Sequence, residues 1–189
     1  MSLTPKPSTP KASGDVGAKL RLAFSRWWSI TAFIVSVAML ATAWGFQLIG
    51  GLHPCHLCLK QRDIYWIAAG VSLVASVWAL FTGAKGPPRV FSFVLFAIFT
   101  TGFAISLFHA GVEQHWWRGP ETCSISGGEI SFDGMAALLS GAPTRAPMCD
   151  VIAWELYGIS MAGYNAIASA ILAILSLIAS LRFRRKKKH

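Results

Sequence analysis

Charge is what this 189-residue chain has least of. It holds eight acidic and seventeen basic residues, and none of either falls inside four long runs: Trp27 to Ile49, Ile64 to Gly83, Val90 to Phe108 and Leu156 to Leu181. Together with 54% hydrophobic residues and a mean hydropathy of +0.52, that scarcity excludes a water-soluble domain. Each run is about long enough for a helix to cross roughly 30 Å of hydrocarbon at 1.5 Å per residue. The pattern predicts an all-α membrane protein, a four-helix transmembrane bundle. The runs also lack the ten-residue alternation of polar and apolar positions that a transmembrane barrel requires.

Other absences narrow the reading. Residues 1 to 25, rich in Thr, Pro, Ser, Lys and Gly, have neither the apolar core nor the cleavage site of a signal peptide, so they read as a disordered arm and the first span is retained. Cys58 is followed by Leu59 rather than histidine, which excludes a covalent haem. A four-thiolate zinc site, or one completed by His53 or His56, is disfavoured because the second cysteine pair lacks the close knuckle spacing; no metal is expected. There is no sequence repeat, although both halves share the order span, cysteine loop, span.

What charge there is gives the topology. Lys6, Lys11, Lys19, Arg21 and Arg26 precede the first span, Lys85 and Arg89 lie between the second and third, and Arg182 and Arg184 to Lys188 follow the fourth. Thirteen of the seventeen basic residues thus share one side, which is cytoplasmic by the positive-inside rule, giving N-in/C-in. The other side holds Lys60, Arg62, Arg118 and Arg145 with seven of the eight acids. The basic tail therefore faces anionic lipid headgroups rather than nucleic acid. The expected organisation is a cytoplasmic arm (1–25), a membrane domain (26–181) and a basic cytoplasmic tail (182–189), with outer loops at about 50–60 and 109–155. Ile130, Phe132, Met135, Leu138 and Leu139 fit one short amphipathic helix lying on the membrane.

All four cysteines, Cys55, Cys58, Cys123 and Cys149, then fall on the outer face, where disulfides persist. In the segment His53 to Cys58, Pro54 stiffens the approach. A second span starting a turn ahead of its apolar run would place Cys58 where free backbone N–H groups and the helix dipole favour a thiolate. Such a sulfur is redox-active. Arg62 follows Cys58 by one helical turn and adds positive charge on the same face; the competing reading is an arginine that snorkels to headgroups. Cys123 and Cys149 enclose a glycine-bearing loop, and alone they would read as a structural staple worth a few kcal/mol. A neighbouring CxxC opens the alternative, dithiol exchange through a mixed disulfide. Four cysteines allow three pairings, and spacing does not choose among them.

These residues match a family. The order of span, PCHLCLKQR, span, turn, span, Cys123, then Cys149 followed by DVIAWELYGISMAGYNA, closely resembles the DsbB family of bacterial disulfide bond formation proteins over about residues 27 to 181. The resemblance implies a thiol:quinone oxidoreductase of the bacterial inner membrane, multi-pass, with its active face periplasmic. It would reoxidise a periplasmic DsbA-like thiol oxidase and pass the electrons to membrane quinone, ubiquinone or menaquinone, held non-covalently. Residue by residue, it implies that Cys55 and Cys58 reduce the quinone, with Cys58 facing its ring and Arg62 polarising it. Cys123 would be attacked by the partner, and Cys149, once released, would engage Cys55. His109 matches a family histidine at the outer end of span three. His56 stands where relatives often carry an apolar residue or proline.

His109 and Glu113, one helical turn apart, are second-rank candidates for the quinone site, since ionisable groups at that depth face a bundle or cavity. Asn165 within span four is read as a helix-to-helix hydrogen bonder, and the tryptophans near span ends as an aromatic belt. Vitamin K epoxide reductase-like proteins are a related four-span architecture, but they place their CxxC late in the chain. The reading from another class is a non-catalytic membrane scaffold or channel with two inert disulfides, which would not reoxidise in a quinone-dependent way.

Overall fold

The computed structural model describes residues 12–82, 88–120 and 149–181. Among the described residues four helices carry the fold: α1 (Ala12–Leu48), α2 (His56–Thr82), α3 (Arg89–Glu113) and α4 (Met161–Leu181). A two-stranded antiparallel hairpin, β1 (Glu155–Leu156) and β2 (Ile159–Ser160), leads into α4. Each helix contains a stretch long and apolar enough to cross a membrane, beginning in α1 at Trp27. The result is the four-helix membrane bundle expected. Cys123, the amphipathic segment Ile130 to Leu139, the first eleven residues and the basic tail lie outside the described residues.

The helix boundaries differ from the apolar runs in four places, each for a physical reason. The expected disordered arm is helical from Ala12 onward, because Ala18 to Phe24 is a run of mostly strong helix formers free of glycine and proline, through which α1 propagates backward. α2 starts at His56, two turns ahead of the uncharged run. Lys60 and Asp63 lie on its exposed side while Leu57 and Gln61 are buried, so the charges do not interrupt it. α3 continues past Phe108 to Glu113. It closes with bonds from His115 N–H to Val112 O and from Trp116 N–H to Gly111 O, with His115 in the left-handed region at φ 58°.

The fourth span does not begin at Leu156. Tyr157 (φ 51°) and Gly158 (φ 74°) both take positive φ, as a two-residue type I′ hairpin turn requires, and fold residues 155–160 back on themselves. Ser160 then caps α4, its Oγ accepting the Gly163 N–H at 3.1 Å.

α3 packs most extensively on α4, and α2 bridges α1 and α3. The shared core joins Tyr65, Leu95, Phe99 and Leu172 to the small residues Ala32, Ala68, Ala173 and Ala179. Small side chains let helices approach where lipid gives no hydrophobic drive. Gly102 shows how closely: a Cβ there would stand 3.0 Å from Ile64 Cγ2 and 3.4 Å from Ser169 Oγ. Some buried serines return their hydroxyls to their own helices, as Ser72 does to Ala68 O and Ser176 to Leu172 O. Ile34, Val74, Leu80, Ile167, Ile171 and Ile174 point outward and exposed, a surface suited to acyl chains.

Candidate active site

At one end of the bundle, α1, α2, α3 and the segment entering α4 surround a cavity of about 670 Å³. Its walls are mainly apolar, including Leu40, Phe46, Leu52, Trp154 and Met161, with a few polar groups: Cys55, Cys58, Gln61, Arg62, His109, Glu113 and Asn165. A size and character of this kind suit a small organic ring with one or two polar substituents. Five of the seven expected site residues (Cys55, Cys58, Arg62, His109 and Glu113) therefore meet at one place.

Pro54 holds the chain out of the helix, and Cys55 occupies the position just before α2. Its carbonyl accepts the Leu59 N–H at 3.1 Å and its sulfur accepts the Cys58 N–H at 3.3 Å. The sulfur collecting the free backbone N–H at the helix start is thus Cys55, where the sequence pointed to Cys58. The reason is that α2 starts earlier than the charges suggested, so Cys58 already lies within its first turn. Both thiols are free, with Sγ–Sγ 2.9 Å. The side-chain hydrogen bond shared with Cys58 and, at 3.6 Å, His109 Nε2 hold the Cys55 thiol down from 9.0 to about 4 against the opposing effect of burial.

The lowered Cys55 value makes the reduced protein pH-dependent. The folded value lies below the ordinary one, so the thiolate's contribution to stability of the reduced protein is complete above about pH 9 and disappears as pH falls through about 4. Thiolate absorbance of the reduced protein should persist from neutrality down to about pH 5 and vanish near 4. In Cys55→Ser it should be missing over that range. A midpoint near 9 in the parent protein would contradict the geometry.

Cys149 is disulfide-bonded, buried, and packed with Cys55, Leu57 and Val112. Its sulfur, the Cys55 sulfur and a His109 ring nitrogen all lie within 4.8 Å of one another. Two cysteines and a histidine make a soft-metal donor set by type, but a disulfide sulfur is not a thiolate ligand. What the arrangement offers is a free thiol with a lowered pKa beside a disulfide sulfur, the geometry from which exchange proceeds.

Arg62 does not snorkel. Its guanidinium turns to α1, donating to Gln47 Oε1 at 2.6 Å and to Ala43 O at 3.0 Å, and sits 5.6 Å from the centre of the Trp44 ring. Those two bonds use two of five N–H donors, and the group still lines the cavity. Glu113 pairs with His109, Oε1 to Nε2 3.8 Å, and its other oxygen accepts the Ser160 hydroxyl. The carboxyl thereby sits beside the residue that caps α4.

The sequence reading missed Gln61 and gave Asn165 only a structural part. Asn165 Nδ2 donates to Gln61 Oε1 at 2.7 Å, and Gln61 Nε2 lies 3.0 Å from His109 Nδ1. The available signal was spacing: Gln61 stands three residues after Cys58 and four before Tyr65, on the helix face they share.

Comparison with known proteins agrees with this arrangement. The family described as Disulfide bond formation protein DsbB matches residues 25–179. Similar proteins, each called Disulfide bond formation protein B, include one from Marinobacter nauticus, 29% identical over 84% of this chain and 93% of that protein. Another, from Methylococcus capsulatus, is 29% identical over 79% of this chain and 90% of its own length. A third, from Xanthomonas oryzae pv. oryzae, is 28% identical over 86% and 96%. With four membrane-spanning helices and a family match over most of its length, the chain belongs to the DsbB family and is a multi-pass membrane protein of disulfide bond formation.

Proposed function

We propose that the chain is a thiol:quinone oxidoreductase, set N-in/C-in in a bacterial inner membrane, that reoxidises a periplasmic DsbA-like thiol oxidase and delivers the electrons to membrane quinone. The observation that carries this reading is the meeting of three things at one end of the bundle. A low-pKa Cys55 lies beside Cys58, the Cys149 disulfide sulfur lies within 4.8 Å, and an apolar cavity reaches both free thiols.

The electron route follows sulfur by sulfur. A partner thiolate attacks Cys123 of a Cys123–Cys149 disulfide, forming a mixed disulfide and releasing Cys149 as a thiolate. Cys149 attacks Cys55 of an oxidised Cys55–Cys58 pair, and Cys58 leaves as a thiolate facing the cavity. The partner's second thiolate resolves the mixed disulfide, Cys123 recovers Cys149, and Cys55 is freed. Two electrons have then passed from the partner to the Cys55–Cys58 pair. The quinone, when bound, supplies a two-electron, two-proton acceptor. The chain's residues suit such an acceptor: Arg62 donates hydrogen bonds from the cavity wall, His109 and Glu113 border it as proton-carrying groups, and the apolar walls exclude water.

Purified protein in detergent, mixed with a reduced DsbA-like protein and a short-chain quinone, should bleach quinone absorbance only when both are present. Cys58→Ser should reduce the rate to background. Thiol-independent bleaching, or undiminished activity in Cys58→Ser, would favour the inert-disulfide scaffold.

A further inference from the structure

We propose that Gln61 and Asn165 are positioning residues that fix which nitrogen of His109 carries its proton, so that Nε2–H is the edge presented to the Cys55 sulfur. A chain of hydrogen bonds runs to His109, its direction set at the far end. Tyr65 donates its hydroxyl proton to Asn165 Oδ1 at 2.5 Å. Asn165 then turns its Nδ2 outward, donating to Gln61 Oε1 at 2.7 Å and to Ser106 Oγ at 2.9 Å. With Oε1 so engaged, Gln61 faces His109 with its amide nitrogen, 3.0 Å from Nδ1. An N–H donor against Nδ1 requires Nδ1 to accept, and a neutral imidazole must then carry its proton on Nε2. That nitrogen is 3.6 Å from Cys55 Sγ and 3.8 Å from Glu113 Oε1.

Burial makes the direction hard to reverse. Gln61, His109 and Asn165 are each nine-tenths or more buried, so no bulk water substitutes for a lost partner. Turning the Gln61 amide alone would set its NH2 against the NH2 of Asn165, two donors face to face. Turning both would confront the Tyr65 hydroxyl with an NH2 and oblige it to donate elsewhere, to Ser169 Oγ at 3.2 Å. Three groups on two helices must therefore move together before His109 can offer Cys55 a bare lone pair. The functional consequence rests on the proposed thiol relay: whenever Cys55 carries negative charge between exchange partners, it meets an N–H donor instead of a lone pair.

The test is spectroscopic and does not depend on quinone. Reduced, full-length protein labelled with 15N-histidine, in detergent at neutral pH, should show His109 with an unprotonated Nδ1 and a protonated Nε2 in long-range 1H–15N correlation. The resonances are assigned by their loss in His109→Gln. In Asn165→Leu, close to isosteric, Gln61 loses the donor that orients it, and Nδ1–H should appear. The Cys55 titration followed by thiolate absorbance should rise by about one unit, roughly tenfold less thiolate at a given pH on the rising limb. Gln61→Leu should give the same two changes if Asn165→Leu does not fold. A protonated Nδ1 in the parent protein, or an unchanged tautomer in whichever variant folds, would overturn the inference. Absent quinone reduction with the parent tautomer as stated would instead sink the proposed function and leave this assignment standing.

Discussion

A protein carrying Cys58→Ser and Cys123→Ser, oxidised mildly, forms a Cys55–Cys149 disulfide in most of its molecules. This is the largest effect the geometry implies, because it is close to all or none. The two sulfurs lie within 4.8 Å of each other in one buried cluster with Leu57 and Val112. Bonding requires them to close to about 2.05 Å, a movement of side chains and a loop rather than of helices. With Cys58 replaced, His109 Nε2 at 3.6 Å remains beside the Cys55 sulfur and still favours its thiolate, the form that is oxidised onto Cys149. Peptide mapping without reductant reads the bridge directly. Unpaired cysteines, or bridges only between molecules, would show that the two outer segments do not meet in solution.

Arg62→Ala should raise the apparent quinone Michaelis constant by at least about tenfold. Loss of a charged donor from a largely apolar wall costs about 1.5–3 kcal/mol, and each 1.36 kcal/mol is a factor of ten. Partner-to-enzyme electron transfer, measured by partner oxidation in a single turnover without quinone, should change less than about twofold, because the guanidinium bonds to Gln47 and Ala43 of α1 rather than to any cysteine. Arg62→Lys should recover only part of the loss, since an ammonium cannot hold two α1 acceptors and still present a planar donor edge. Unchanged quinone kinetics in Arg62→Ala would reduce the residue to a tie between α1 and α2.

The spans were legible because lipid forces the issue: a helix crossing hydrocarbon must be apolar throughout, whichever way its faces point. Their ends were less legible. The outer loop read as running to about residue 60 and the uncharged run as starting at Ile64, yet α2 begins at His56 and carries Lys60, Arg62 and Asp63 on its first turns, because charge at a helix end meets headgroups and water at no great cost. Leu156 to Ser160 read as the start of a span, yet two positive φ angles make it a hairpin. Apolar composition does not separate a strand pair from a helix over five residues.

Within the site, the Cys55–Cys58 pair was legible from its CxxC spacing and Arg62 from its helical offset, whereas nothing in the spacing brought Cys149 to Cys55. The His109–Glu113 contact followed from a separation of four along one helix. Gln61 was not legible as a partner of His109, nor Asn165 as the group that orients Gln61. Those contacts depend on how α2, α3 and α4 are rotated against one another, and that rotation is set by close approaches such as Gly102 against Ile64 and Ser169. The preference for Cys58 as the helix-stabilised sulfur failed for a related reason: moving the start of α2 back by two turns hands the free N–H to Cys55.

The most direct test of the account takes protein carrying Cys123→Ser and Cys149→Ser, reduced at Cys55 and Cys58, and mixes it, without any partner and without oxygen, with a short-chain quinone in a single turnover. One quinone should be consumed per Cys55–Cys58 dithiol, with that disulfide recovered on peptide mapping. Quinone left unreduced while both thiols remain free would contradict the claim that this pair empties its electrons into the cavity beside it.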